Sequence, residues 1–157
     1  MPHLGLINNV GNIKRRSPKV FLKILFKTGT DIFNVMMSNA EIGNVDEALR
    51  VTATATNGYT KRAVTVAAST KYHLRIKLVS SSAGTGDKTV MVGTTSGASD
   101  LLSLSTPGTD GFTVNKYYDG TFTTDGSTTS VHLGLKVQTS GKTATWDDIL
   151  IETYDTE

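Results

Sequence analysis

Apolar and polar residues alternate with a period of two from Leu49 onward, and this pattern constrains the fold more than any other feature of the sequence. In KYHLRIKLV and SVHLGLKVQ every second residue is apolar, as Tyr72, Leu74, Ile76, Leu78, Val131, Leu133, Leu135 and Val137. Further alternating segments follow one another at short intervals, separated by Gly, Ser, Asn and Asp, with no amphipathic helix between them. The sequence therefore predicts an all-β protein, built as an antiparallel β-sandwich of the jelly-roll type.

The length of 157 residues suits a single domain with a core large enough to fold without covalent cross-links. The sequence contains no cysteine, which excludes a disulfide framework, a thiolate nucleophile and a thiolate metal site. The apolar run VFLKILF is interrupted by Lys23 and is far too short to span a membrane. We therefore expect neither an export signal of its own nor a membrane partner.

The first forty residues are basic, whereas the rest of the chain is mildly acidic. Six basic side chains stand there against one acidic residue, Asp31, and they are Lys14, Arg15, Arg16, Lys19, Lys23 and Lys27. Residues 1–19 are rich in Asn, Gly and basic groups and predict an extended arm. VFLKILF then predicts a strand, and DIFNVMM a strand or a short helical turn. We expect residues 1–43 to form this arm with its assembly strands, and residues 44–157 the jelly-roll domain.

A basic arm on an acidic body suggests docking on an acidic surface. Because no aromatic residues interleave with the basic ones, we favour a protein surface and expect no nucleic acid. The candidate contact residues are Lys14, Arg15, Arg16, Lys19, Phe21 and Lys23.

The order of the segments from residue 44 to 153 resembles the jelly roll of carbohydrate-binding modules. The segments are ALRVTATATNGY, AVTVAASTKYHLRIKLVSS, KTVMVGTTSG, GTFTTDGSTTSVHLGLKV and TATWDDILIE, and Trp146-Asp147-Asp148-Ile149 is the most specific element. Domains of this kind occur in glycoside hydrolases and in bacteriophage virion proteins. Members usually open with an Asn- and Glu-containing strand and a Trp-containing segment, which this chain replaces with its basic arm.

The same resemblance implies a structural calcium ion, since a carboxylate of the last strand often binds calcium together with oxygens of the opening segment. Asp147 is the matching position, and Glu41, Asn44 and Asp46 are the available partners. The alternative is that Asp147 accepts backbone N–H groups while Asp148 is solvated. Strict alternation would place Asp147 on the face of Ile149 and Ile151.

Sugar binding needs exposed aromatic rings with polar groups beside them. Candidates are Tyr59, Tyr117, Tyr118 and Trp146, although Tyr117 and Tyr118 must point to opposite faces and Trp146 suits a core position better. Catalysis finds no support, because His3, His73 and His132 lack the spacing of metal ligands and no serine lies in a nucleophile-elbow context. Adjacent aspartates cannot form a glycosidase pair either, since neighbours on a strand face opposite ways.

The resemblance implies a bacteriophage context, and the basic N-terminal region and the lack of a catalytic site add to it. Together they predict a non-enzymatic structural protein of a tailed-bacteriophage virion, in the role of a capsid decoration (cement) protein. The major capsid protein would be its partner, and a homotrimer is the favoured oligomer because VFLKILF and DIFNVMM expose apolar residues on both faces. The alternative is a glycan-binding module of a phage tail or adhesion complex, with a host-surface glycan as ligand, or of a secreted hydrolase.

Overall fold

The computed structural model describes residues 20–24, 36–105 and 111–154. This part of the chain is almost entirely β-structure, with a 3-10 helix at Thr85–Asp87. In chain order the strands are β1 Val20–Ile24, β2 Met36–Ser38, β3 Ala40–Val45, β4 Ala48–Ala53, β5 Gly58–Thr65, β6 Lys71–Ser81, β7 Lys88–Gly93, β8 Leu102–Leu104, β9 Lys116–Thr123, β10 Ser130–Val137 and β11 Thr143–Thr153. No helix in these ranges is long and apolar enough to cross a membrane.

The strands form two sheets in which every pairing is antiparallel. Sheet A has the order β3-β4-β11-β6-β9, with β1 paired to the second half of β11, and sheet B has the order β2-β5-β10-β7-β8. Neighbours within each sheet are mostly distant in sequence, which is the connectivity of a jelly roll. The predicted all-β jelly-roll sandwich is confirmed.

The core lies between the sheets and is filled by the apolar faces that the alternation predicted. The inward residues of β6 and β10 are fully buried, as are Leu49, Val51 and Ala53 of β4. Trp146 of β11 is buried in the centre, where its ring meets that of Phe112 edge-on with centroids 5.3 Å apart. A large aromatic residue in this position contributes much of the buried apolar area, which confirms that Trp146 serves the core.

The turn predicted at Asn57-Gly58 is present, with Asn57 at a φ of 61°. It carries the chain from β4 in sheet A to β5 in sheet B. Gly58 is required there, because a Cβ would lie 2.3 Å from the carbonyl oxygen of Asn39.

The segment before residue 44 contributes strands to both sheets. VFLKILF supplies β1, in which Lys23 pairs with Leu150, and DIFNVMM supplies the start of β2, which pairs with β5. The expected domain boundary at residues 43 and 44 falls inside β3, which pairs with β4 along its whole length. The expected arm at residues 1–19, with Lys14, Arg15, Arg16 and Lys19, lies outside the described residues. Phe21 and Lys23 lie in β1, where Lys23 is paired and Phe21 lies at an irregularity of the register between Val20 and Leu22.

The last strand departs from strict alternation at its two aspartates. Asp147 pairs with Lys77 and Leu150 with Arg75, so β11 holds one more residue than β6 between these pairs. Asp148 has a φ of 49°, in the left-handed region, and accommodates the extra length of β11. This irregularity is a β-bulge. Because the bulge reverses the alternation, Trp146 and Ile149 both point into the core. The prediction that Asp147 shares a face with Ile149 and Ile151 is therefore wrong.

Candidate functional site

The three tyrosines predicted to contact a sugar lie in three different places. Tyr59 lies on the outer face of sheet B, and Tyr117 lies on the outer face of sheet A with 42% of its surface exposed. Tyr118 is only 9% exposed and points into the core, where its hydroxyl bonds to the backbone N–H and carbonyl of Thr113. The prediction for Tyr118 is wrong, because strand alternation turns it inward when Tyr117 faces out. No single site contains both Tyr59 and Tyr117.

A groove of about 380 Å³ crosses the outer face of sheet B. Strand register builds it, because Tyr59 of β5 pairs with Lys136 of β10, and Lys136 pairs with Thr89 of β7. Outward-facing positions of four strands and residues of three loops thus meet in one concave surface. Its lining residues are Asn57, Tyr59, Thr89, Met91, Gly97, Ser99, Ser103, Ser105 and Lys136.

Two glycines shape this groove. Gly134 of β10 pairs with Met91, and a Cβ on Gly134 would lie 2.7 Å from the methionine methyl group. The absence of a side chain lets Met91 fill that space. At Gly93 a Cβ would lie 2.4 Å from the carbonyl oxygen of Ala98, so Gly93 lets the loop after β7 fold closely over the sheet.

The loop between β7 and β8 forms one wall of the groove. Asp100 closes the loop by accepting hydrogen bonds from the Thr94 backbone N–H at 2.9 Å and its hydroxyl at 2.7 Å. These bonds lower the pKa of Asp100 below its ordinary value, because they favour the ionised carboxylate. At the loop tip Gly97 has a φ of 81°, and a Cβ there would lie 3.1 Å from the Tyr59 hydroxyl oxygen. The loop that forms this wall therefore packs directly against Tyr59.

Two lysines provide the positive charge at the groove. The ammonium group of Lys61 lies 5.5 Å from the centroid of the Tyr59 ring, although most of the Lys61 side chain is buried. Lys136 is partly exposed and lines the groove itself. No aspartate, glutamate or histidine is among the described lining residues. The groove therefore offers hydroxyl groups, one amide, one aromatic ring and cationic groups to a ligand.

The outer face of sheet A presents a second aromatic residue, but its polar groups are engaged with one another. The Arg75 guanidinium lies 4.0 Å from the centroid of the Tyr117 ring and so covers part of it. The Tyr117 hydroxyl donates a hydrogen bond to Asp148, which is the main reason why the pKa of Tyr117 is raised. On the same face His73 lies 2.9 Å from Asp119 and 3.5 Å from Glu152. The carboxylates of Asp119, Asp148 and Glu152 on this face are therefore each engaged by another side chain.

The aspartate pair behaves differently from the prediction that Asp147 is the partnered member. Asp148 accepts the Tyr117 hydrogen bond, whereas Asp147 has no hydrogen bond or ion pair in the described part of the chain. The bulge explains this, because it swings Asp148 out of the strand and over the neighbouring row of Tyr117 and Lys77. Within the described residues it is therefore Asp148, and not Asp147, that has a hydrogen-bond partner.

The candidate calcium ligands are not gathered at one point. Glu41 pairs with Thr52, which pairs with Thr143, four residues before Asp147 on β11. At about 3.3 Å per residue this offset is roughly 13 Å along the strand. Asp46 lies in the turn between β3 and β4, and Asn44 pairs with Leu49. Within residues 20–24, 36–105 and 111–154 no three acidic or histidine side chains are placed to share a metal ion. Calcium stays a prediction.

Most of the groove was not identified from the sequence. Tyr59 was singled out, but Lys136, Ser103 and Ser105 were not. Alternation does indicate that Lys136 faces outward, since Leu135 and Val137 face in. What the sequence does not state is that β10 lies between β5 and β7.

Comparison with known proteins identifies the fold but not a family. No protein-family model matches the sequence, and no curated protein does. Solved structures do match. The carbohydrate-binding module CBM6cm-2 of Cellvibrio mixtus lichenase 5A, solved in complex with cellotriose, has a TM-score of 0.56 at 15% identity over 87% of this chain and 99% of its own.

Two further modules give a similar result. The xylan-binding domain CBM22-1 of Paenibacillus barcinonensis Xyn10C has a TM-score of 0.57 at 13% identity, covering 90% of this chain and 99% of its own. A family 35 carbohydrate-binding module from Clostridium thermocellum has a TM-score of 0.52 at 13% identity, covering 87% and 98%. The domain thus has the jelly-roll fold of carbohydrate-binding modules, as the order of its sequence segments suggested.

Proposed function

We propose that this protein is a non-catalytic glycan-binding module and that the groove on sheet B is its binding site. The observation that carries the proposal is the groove itself, which combines an aromatic ring, a thioether and a row of hydroxyl groups on the outer face of a sandwich with this fold. The similar domains, whose names describe them as carbohydrate-binding, support it. The volume of the groove, about 380 Å³, also falls in the range of small-molecule sites.

The lining matches the surface of a sugar ring. The C–H faces of a pyranose would pack on Tyr59 and Met91, and this contact would remove apolar surface from water. The hydroxyl groups would exchange hydrogen bonds with Ser103, Ser105 and Asn57, which can act as donors and acceptors. Because most of these side chains stand on paired strands, little conformational entropy is lost on binding.

Hydrolysis of the bound glycan is not part of this proposal. Glycoside hydrolysis generally requires two carboxyl groups on either side of the scissile bond, about 5–9.5 Å apart. The described lining of the groove supplies none. The module would therefore hold a glycan without cleaving it.

Binding can be tested with a glycan array followed by titration calorimetry with cello-, xylo-, manno- and galacturono-oligosaccharides. We expect Tyr59→Ala to weaken binding at least tenfold, because it removes the aromatic surface. Tyr117→Ala is the matched control, since it removes the same side chain from the opposite sheet, and it should leave binding unchanged. If Tyr117→Ala abolishes binding while Tyr59→Ala does not, the site has been assigned to the wrong sheet.

A second candidate function is decoration of a bacteriophage capsid, which rests on the basic character of residues 1–40. Under this hypothesis the N-terminal region binds the major capsid protein, the protein is a trimer, and the groove faces outward towards a host-surface glycan. Mass spectrometry and immunolabelling of purified particles test it. Absence of the protein from the particles would remove this candidate and leave the glycan-binding proposal intact.

A further inference from the structure

The two sheets differ sharply in how their charges are balanced. The strands of sheet B carry four basic side chains, Lys61, Arg62, Lys88 and Lys136, and no aspartate or glutamate. The strands of sheet A carry nearly equal numbers, with five acidic residues that include Asp119, Asp148 and Glu152. Sheet B therefore lacks the carboxylates that neutralise basic groups elsewhere in the domain.

One of these four basic residues, Lys136, lines the groove, and a second, Lys61, lies beside the lining residue Tyr59. Tyr59, Lys61 and Ala63 occupy successive outward positions of β5, and Lys136 lies directly beside Tyr59 on β10. Lys136 makes no hydrogen bond or ion pair within the described ranges, and the Lys61 ammonium group lies 5.5 Å from the centroid of the Tyr59 ring. Both lysines are thus neighbours of Tyr59, Lys61 through its ammonium group and Lys136 through strand pairing, and neither has an anionic partner in the described part of the chain.

The described carboxylates in the loops that flank β7 are already engaged. Asp100, in the groove wall, accepts two hydrogen bonds from Thr94. Asp87, in the 3-10 helix before β7, accepts hydrogen bonds from the Thr139 hydroxyl and the Gly84 backbone N–H. Neither residue pairs with Lys61 or Lys136. Within the described residues the groove therefore carries a positive charge without a carboxylate partner next to its aromatic surface.

We propose that the groove selects acidic glycans, whose carboxylate or sulfate groups pair with Lys136 and Lys61 while the sugar ring packs on Tyr59. This inference rests on the proposed function and narrows it to one class of saccharide. An anionic group beside Lys136 forms a charge-assisted hydrogen bond, which is stronger than a bond between neutral groups. A neutral sugar would leave both ammonium groups without such a partner in the partly dehydrated groove.

The test compares acidic probes with their neutral counterparts by calorimetry. The probes are a galacturonate hexamer against its methyl ester, and a κ-carrageenan hexamer against the same oligosaccharide after desulfation. We expect at least one acidic probe to bind tenfold or more tightly than its neutral form at 50 mM NaCl. The preference should shrink at 500 mM NaCl, because salt screens the charges.

Lys136→Gln should reduce the preference for the acidic form over the neutral form at least fivefold. Lys116→Gln is the matched control, because it removes the same charge from an exposed position at the start of β9 in sheet A and should have no effect. Thermal melts of both variants verify that they are folded.

Three results would overturn the inference. Equal or tighter binding of both neutral probes would refute it and leave the proposed function standing, provided that the binding depends on Tyr59. A preference for acidic probes that survives in Lys136→Gln but disappears in Lys116→Gln would place the site elsewhere. Failure of every acidic and neutral glycan to bind would contradict the proposed function together with the inference.

Discussion

Asp148 illustrates how one residue can set the shape of a strand. Its left-handed backbone and its hydrogen bond from Tyr117 hold the bulge that turns both Trp146 and Ile149 into the core. A non-glycine residue in this conformation is costly unless its surroundings favour it, and aspartate is among the side chains that tolerate it best.

We expect Asp148→Ala to lower the free energy of unfolding by about 1–2 kcal/mol, since the left-handed backbone becomes less favourable and the Tyr117 bond is lost. Asp147→Ala should change it by less than about 0.5 kcal/mol, because Asp147 is partly exposed and lacks a partner in the described residues. Urea denaturation followed by tryptophan fluorescence measures both. If chelation of calcium lowers the stability of the wild type and Asp147→Ala removes that response, a metal site at Asp147 is the better explanation.

Lys88 is buried at one end of the core, with 1% of its surface exposed. Its ammonium group donates to the carbonyl oxygens of Ala83 at 3.2 Å and Gly84 at 2.5 Å, which fixes the loop after β6. Burial lowers the pKa of Lys88, and the nearby Asp87 opposes this. Lys88→Met keeps the packing but leaves both carbonyls without their donor.

We expect Lys88→Met to cost about 2–3 kcal/mol of unfolding free energy, as measured by urea denaturation. Lys142→Met, an exposed position outside the strands, is the control and should be nearly neutral. A stable Lys88→Met protein would mean that water replaces the ammonium group at the two carbonyls.

Asp125 organises the turn between β9 and β10. Its carboxylate accepts the backbone N–H groups of Ser127 and Thr128 and the Ser127 hydroxyl, which lowers its pKa to about 2. The pKa of aspartate in an unfolded chain is about 3.9. A lowered folded-state pKa means that the carboxylate stabilises the fold above pH 3.9 and that this contribution is lost as the pH falls towards 2.

Melting temperatures measured from pH 6 to pH 2 should therefore fall less steeply for Asp125→Asn than for the wild type below pH 4. The variant should also be less stable at pH 6, since an amide is a weaker acceptor than a carboxylate. Ser127→Ala removes one donor and should give an intermediate profile. Parallel profiles for all three proteins would exclude Asp125 as a source of acid sensitivity.

Among the structural elements, the loop between β7 and β8 forms one wall of the groove. Gly93 allows this loop to approach the sheet, and we expect Gly93→Ala to displace it, because the new methyl group would overlap the backbone of Ala98. Glycan affinity should fall at least tenfold and the stability by about 1–3 kcal/mol. Gly43→Ala in β3 is a matched control, since nothing lies within 4 Å of the added Cβ. Unchanged affinity in Gly93→Ala would show that this wall does not contact the glycan.

Sequence reasoning succeeded where local pattern alone decides the structure. The inward positions of β6 and β10 follow from alternation, because a strand with one buried face can hold only one register. It failed at Asp148 because a bulge adds one residue and reverses the alternation after it. It failed at Tyr118 because a list of aromatic residues does not say which face of β9 is buried.

The groove required information that the sequence does not state. Tyr59 and Lys136 are neighbours only because β5 pairs with β10, and Ser103 joins them only because β8 pairs with β7. Such long-range pairings arise from the connectivity of the whole sandwich. The sequence could therefore supply candidate residues for a site, but not their grouping.

For the molecule as a whole, the sandwich and the N-terminal region are expected to act separately. A chain lacking residues 1–19 should still fold, because every described strand begins after that point. If the virion hypothesis holds, the truncated protein should lose its attachment to particles and keep its affinity for glycans. Sedimentation with purified capsids measures the first property and calorimetry the second. Undiminished capsid binding would rule out the basic arm as the attachment element.

The proposed function requires that a glycan occupies the outer face of sheet B. Amide chemical-shift mapping tests this directly, using the ¹⁵N-labelled protein and the oligosaccharide that binds most tightly in the calorimetric set. If the glycan binds there, the shifts are confined to the groove and centred on Tyr59, Ser103 and Lys136. The amides of β9 and of the second half of β11 are then unaffected. Shifts centred on Tyr117 and Asp148, or saturating amounts of every oligosaccharide without any shift, would contradict it.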